Sequence, residues 1–86
     1  LWLDWSTPRV CHIRHIQVQE AHWGQGLGRS ILEDAMVLAA ARGRKSLTLN
    51  VTKSNRRAMT LYEHAGLLLD EDQGERQMMR IRLNAR

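Results

Sequence analysis

The sequence predicts an α/β fold class: a mixed α+β sheet carrying two helices, in the order β-β-α-β-α-β-β. Three observations lead there. Apolar and polar residues alternate in short runs at residues 1–5, 46–51 and 77–83, the period of a half-buried strand. Over residues 27–42 and 55–65 the apolar spacing changes to three and four, which is helical. Each helical stretch is followed at once by a glycine, Gly43 and Gly66, where a left-handed cap is expected.

Taken in order, Leu1, Leu3 and Trp5 share one side of the first strand, with Trp2 and Asp4 on the other. Ser6-Thr7-Pro8-Arg9 reads as a turn, because proline fixes its own φ and donates no hydrogen bond. A second strand over residues 10–18 then completes a hairpin. Its apolar positions change phase, since Ile13 is odd while Ile16 and Val18 are even. One extra residue near His15 restores the alternation, so a β-bulge is expected there.

Residues 21–28 form a glycine-rich turn. The first helix follows, with Leu27, Ile31, Leu32, Ala35, Leu38 and Ala39 as its buried stripe and Arg42 at the negative end of its dipole. In the next strand Leu47, Leu49 and Val51 alternate with Thr48 and Asn50. Lys53-Ser54-Asn55 is polar and caps the second helix, whose stripe is Ala58, Leu61, Tyr62 and Ala65. Residues 67–69 start a strand, residues 70–74 read as a solvated acidic loop, and a last strand buries Met79, Ile81 and Leu83. There is no repeat and no low-complexity tract.

Eighty-six residues make one small domain with a thin stability margin. Phenylalanine is absent, so the core is expected to consist of Leu, Ile, Val, Met and Ala. The single cysteine, Cys11, allows no internal disulfide and no Cys-rich metal site. His12, His15, His22 and His64 make no evident metal set either, so no metal is expected. No apolar run approaches the roughly 18 residues of a membrane span, and no charged-then-apolar leader is visible. The expectation is a soluble cytoplasmic protein without membrane partners. Net charge is +4, but the arginines are spread along the chain and no zinc-finger spacing or basic–aromatic alternation accompanies them. An anionic small ligand is preferred to nucleic acid.

The sequence Trp23-Gly24-Gln25-Gly26-Leu27-Gly28-Arg29 stands between a strand and a helix. Backbone N–H groups converge at such a helix start, and the helix dipole adds positive potential. Glycine lets the backbone approach a ligand with no Cβ in the way. A diphosphate suits the site. The spacing is neither Walker A, since no Gly-Lys-Ser/Thr follows, nor the dinucleotide fingerprint.

A second motif narrows this reading. Asn55-x-x-Ala58-x-x-Leu61-Tyr62-Glu63-x-x-Gly66-Leu67, taken with the glycine loop, resembles the GNAT N-acetyltransferase superfamily. The likeness runs from about residue 13 to residue 83. It implies a GNAT-like acyl-CoA N-acyltransferase fold, with residues 1–86 as one acetyl-CoA-binding domain and the family's N-terminal strand and two helices missing. By this resemblance, backbone groups of Ile16, Gln17 and Val18 pair with the pantetheine arm. Amides of Trp23, Gly24, Gln25, Gly26, Leu27, Gly28 and Arg29 hold the pyrophosphate. Asn55 bonds the pantetheine or lies near the thioester, and Tyr62 stands by the sulfur as general acid. Trp23 replaces the family's usual Arg or Gln, so Arg29 or Arg57 is expected to compensate at the phosphates. Leu67 replaces the usual Phe.

The implied activity is transfer of acetyl from acetyl-CoA, a co-substrate, to a primary amine by direct attack. The acceptor stays open among protein N-termini or lysines, polyamines, aminoglycosides and small metabolites. For the base, His12, His15, Glu20 and a water-mediated route are all open, and Cys11 is not expected to carry an acyl group. The alternative function is a catalytically inactive acyl-CoA-binding or assembly module. Finally, an apolar first strand bearing two tryptophans is an edge that needs covering, so a homodimer is expected.

Overall fold

Within residues 2–15 and 27–83, which this computed structural model describes, the elements follow the predicted order. They are β1 Trp2–Thr7, β2 Val10–His15, α1 Leu27–Ala41, β3 Ser46–Thr52, α2 Arg56–His64, β4 Leu68–Asp72 and β5 Arg76–Arg82. The strands form one mixed sheet in the order β1-β2-β3-β5-β4. Only β2 and β3 run parallel, and the connection between them carries α1. The other pairs are antiparallel.

One face of the sheet is apolar. Cys11, Ile13, Leu47, Leu49, Val51 and Met79 project from it onto Leu32, Ala35 and Ala39 of α1 and Ala58 and Tyr62 of α2. The alternation of β3 sends Thr48 and Asn50 to the opposite face. Both helices end in the same way. Gly43 and Gly66 take φ of 77° and 103°. Arg44 N–H reaches Ala39 O at 3.0 Å, and Leu67 N–H reaches Tyr62 O at 3.0 Å, closing a Schellman turn in each case.

The register of the β1–β2 hairpin shifts between Trp2 and Leu3, which face His15 and Ile13 respectively. Arg14 is therefore the extra residue, next to the position the phase change indicated. The continuation of this strand, with Ile16 and Val18, lies outside the described residues.

Three expectations are corrected. β1 continues through Ser6 and Thr7, which were assigned to the turn, leaving only Pro8 and Arg9 between the strands. The strand resumes because Thr7 pairs with Val10, across a register irregularity between Asp4 and Thr7 where Asp4 Oδ1 accepts from Ser6 N–H at 2.9 Å. The acidic stretch is not a loop from residue 70, since β4 runs to Asp72. An edge strand tolerates such charges because its side chains reach solvent, and here Asp70 meets Arg80 at 3.4 Å and Asp72 meets Lys53 at 2.7 Å. Lastly, Leu38 is 41% exposed. Ala35 and Ala39 centre the buried stripe of α1, and Leu38 falls to its side at 100° per residue.

Candidate active site

Parallel pairing between β2 and β3 runs from Val10–Ser46 to Ile13–Leu49 and stops. Beyond that point β3 continues through Asn50, Val51 and Thr52, paired among the described residues with β5 alone. A cleft of about 200 Å³ opens there, lined by Ile13, Arg14, Asn50, Thr52, Asn55 and Tyr62 among others. Arg14 follows the last β2–β3 pair among the described residues, and Ala58 and Tyr62 of α2 line the cleft from the core side.

Tyr62 reaches the cleft from the core face of α2, only 5% exposed. Burial pushes its phenol above the ordinary value of 10.0, so at neutral pH it holds its proton. Asn55 caps α2, its Oδ1 accepting from Ala58 N–H at 3.2 Å. The amide Nδ2 is a further donor on the cleft wall. The start of α2 adds positive potential on the same side, as does the guanidinium of Arg14. That guanidinium is held by Asp4 at 3.0 Å and lies 5.5 Å from the Trp2 ring centre.

Behind Asn50 stands His12. Its Nδ1 is 2.7 Å from Thr48 Oγ1, and its Nε2 is 3.5 Å from Asn50 Nδ2. Thr48 Oγ1 can accept from or donate to Nδ1, so these contacts suit either neutral tautomer of the ring. Burial, with Arg14 next in weight, lowers the His12 pKa below 6.5. Asn50 Oδ1 has no partner although it is buried.

The sequence-predicted residues divide as follows. Asn55 and Tyr62 come together at the cleft. Arg57 lies exposed in the first turn of α2. Arg29 is exposed on α1 and pairs with Glu33 at 2.9 Å, one turn on. Ile16, Gln17, Val18, Glu20, Trp23, Gly24, Gln25 and Gly26 lie outside the described residues. Leu27 and Gly28 open α1, and the backbone of His15 ends β2. Cys11 is fully buried and burial raises its thiol pKa, which removes it as an accessible nucleophile. Arg14, Asn50 and Thr52 were not singled out from sequence. No sequence signal marked them, since only the pairing of β2 with β3 and the packing of α2 bring them to one cleft.

A mixed sheet whose described parallel pair is bridged by one helix and flanked by a second, capped one defines an α/β domain class. The comparisons place the chain within that class. The family model described as acetyltransferase (GNAT) family matches residues 1–67, and the chain belongs to this family. A mycothiol acetyltransferase from Beutenbergia cavernae is 35% identical over 66 residues, 77% of this chain and 22% of that protein. The solved nourseothricin acetyltransferase superposes with a TM-score of 0.85 at 26% identity, covering 95% of this chain and 55% of the other. A GNAT family acetyltransferase from Elizabethkingia anophelis, solved with acetyl-CoA bound, gives a TM-score of 0.83 at 19% identity, over 94% of this chain and 65% of that one, and shares the fold. The chain thus spans less than two thirds of each of these relatives.

Proposed function

We propose that residues 1–86 form the acetyl-CoA-binding domain of an N-acetyltransferase, with the thioester at the β2–β3 cleft. The observation that carries this is the opening at Ile13–Leu49 with Asn55 and Tyr62 on its wall, in a chain of the GNAT family. Acetyl-CoA supplies the activated acyl group. A cleft of about 200 Å³ is smaller than most ligand pockets and suits the narrow thioester end rather than the nucleotide. The nucleotide end is assigned to the amides of residues 23–29, with Arg29 or Arg57 in reach of the phosphates.

Tyr62 Oη is the proton donor to the departing thiolate. Unperturbed, a phenol near 10 is uphill of a thiol near 8.5 by about 2 kcal/mol, and burial widens that gap. The cost remains small beside a chemical barrier. Amine attack is direct, consistent with the inaccessible Cys11 thiol. His12, His15 and Glu20 remain the side chains assigned to amine deprotonation, with water as the other route. The relatives named mycothiol and nourseothricin acetyltransferase favour a small-molecule acceptor. A cytoplasmic location goes with an unpaired cysteine, and we further propose that β1 pairs with a second copy.

The test combines acetyl-CoA calorimetry with thiol release over a panel of amines. Tyr62→Phe should retain acetyl-CoA binding and lose about 10²–10⁴-fold in turnover. Full turnover in that variant excludes the acid role. Binding without turnover on any amine favours the inactive acyl-CoA-binding module.

A further inference from the structure

At the opposite end of the same strands lies a second, larger cleft of about 490 Å³, lined by Arg9, Val10, Lys45, Ser46, Arg80, Arg82 and Leu83. Six residue steps along β3 take Ser46 to Thr52 at the first cleft, about 20 Å of strand. Nothing in the proposed transfer reaction uses this end of the sheet.

The lining is cationic and fixed in place by backbone. Lys45 N–H donates to Arg9 O at 2.7 Å, Ser46 N–H to the same oxygen at 3.2 Å, and Leu83 N–H to Lys45 O at 2.8 Å. These bonds tie the β1–β2 turn, the start of β3 and the end of β5 together. They bring Arg9, Lys45 and Arg82 to one rim. Among the described residues no carboxylate lines the cleft. None of the salt bridges among the described residues uses Arg9, Lys45 or Arg82. Arg80 meets Asp70 only through a long 3.4 Å contact, and its Nε is buried without a partner. Like charges held around one cavity repel, and a bound anion relieves that repulsion.

We propose that this cleft binds a multiply charged phosphate-bearing small molecule. Three guanidinium groups and an ammonium match two or more negative charges, and arginine forks fit phosphate oxygens in pairs. The Ser46 hydroxyl adds a neutral donor, while Val10 and Leu83 offer apolar surface for the rest of the ligand. The volume lies within the ordinary range for small-molecule sites.

Pyrophosphate is the probe, titrated by calorimetry at low and high salt into the 86-residue chain saturated with CoA, so that the diphosphate site proposed at residues 23–29 is already filled. Saturable one-to-one binding that weakens with salt is expected. Lys45→Gln combined with Arg82→Gln should weaken it about tenfold or more, and so should Arg9→Gln combined with Arg82→Gln. All three side chains are on exposed residues, so the variants should fold. Lys53→Gln, which removes a charge elsewhere, should leave pyrophosphate binding unchanged, and acetyl-CoA affinity should be unchanged in every variant. Absence of saturable binding, or equal binding by the double variants, overturns the proposal. A parallel loss of acetyl-CoA affinity also overturns it, by assigning the cleft to the cofactor's own phosphates.

Discussion

His12 shows how a residue's neighbours decide its chemistry. Free histidine titrates near 6.5, but burial and the Arg14 guanidinium both disfavour its charged form, against the smaller opposing pull of Asp4 and with Arg76 adding to the lowering. Folded His12 therefore binds its proton at lower pH than unfolded His12. Its contribution to stability is complete above 6.5 and is lost as pH falls from 6.5 toward the lower folded value. An NMR titration of the imidazole should give a midpoint below 6.5, and Asp4→Asn should lower it further. A midpoint at or above 6.5 refutes this account of the ring. The residue was legible in sequence only as a histidine on a strand. Its partners, Thr48 and Asn50, lie 36 and 38 residues away, and only the parallel pairing of β2 with β3 brings them together. Arg9, Lys45 and Arg82 were equally hidden, because no periodicity connects a turn with the start of one strand and the end of another.

The elements themselves were largely legible, because each carries its own punctuation. Alternation marked β3 and β5, and Gly43 and Gly66 marked two helix ends that need positive φ. The β4 boundary was missed for a physical reason. Asp70-Glu71-Asp72 has the composition of a loop, yet β5 supplies backbone partners that composition does not reveal. Asn55 illustrates the overlap between element and site, since one side chain both caps α2 and faces the cleft. The two roles separate by substitution. Asn55→Ala removes the cap and should cost about 1 kcal/mol of stability, whereas aspartate is as good a cap as asparagine. Asn55→Asp should therefore melt like the parent but bind acetyl-CoA more weakly, having lost the Nδ2 donor. If Asn55→Asp matches the parent in both melting and calorimetry, Asn55 is a cap alone.

Among the described residues the sheet presents two edge strands, and they differ in kind. β4 is five residues long, exposed throughout, interrupted by a register shift and acidic at Asp70, Glu71 and Asp72. Two such edges repel each other, which is how edge strands avoid pairing. β1 carries one acidic residue, Asp4, held to a pKa of about 2 by hydrogen bonds from Ser6 and then from Arg14. Its Trp5 is not the exposed surface that the sequence suggested. The ring is packed against the core, with the Arg42 and Arg44 guanidinium groups 4.7 and 5.1 Å from its centre. Trp2 remains 62% exposed. The case for self-association thus rests on one tryptophan and a row of backbone donors and acceptors that no other described strand pairs with. Pairing of two β1 strands about a two-fold axis would cover both. Light scattering on a size-exclusion column should then give twice the 9.9 kDa chain mass, and Trp2→Lys should return it to one. A parent chain that runs as a monomer at every loading concentration removes β1 as a self-pairing edge.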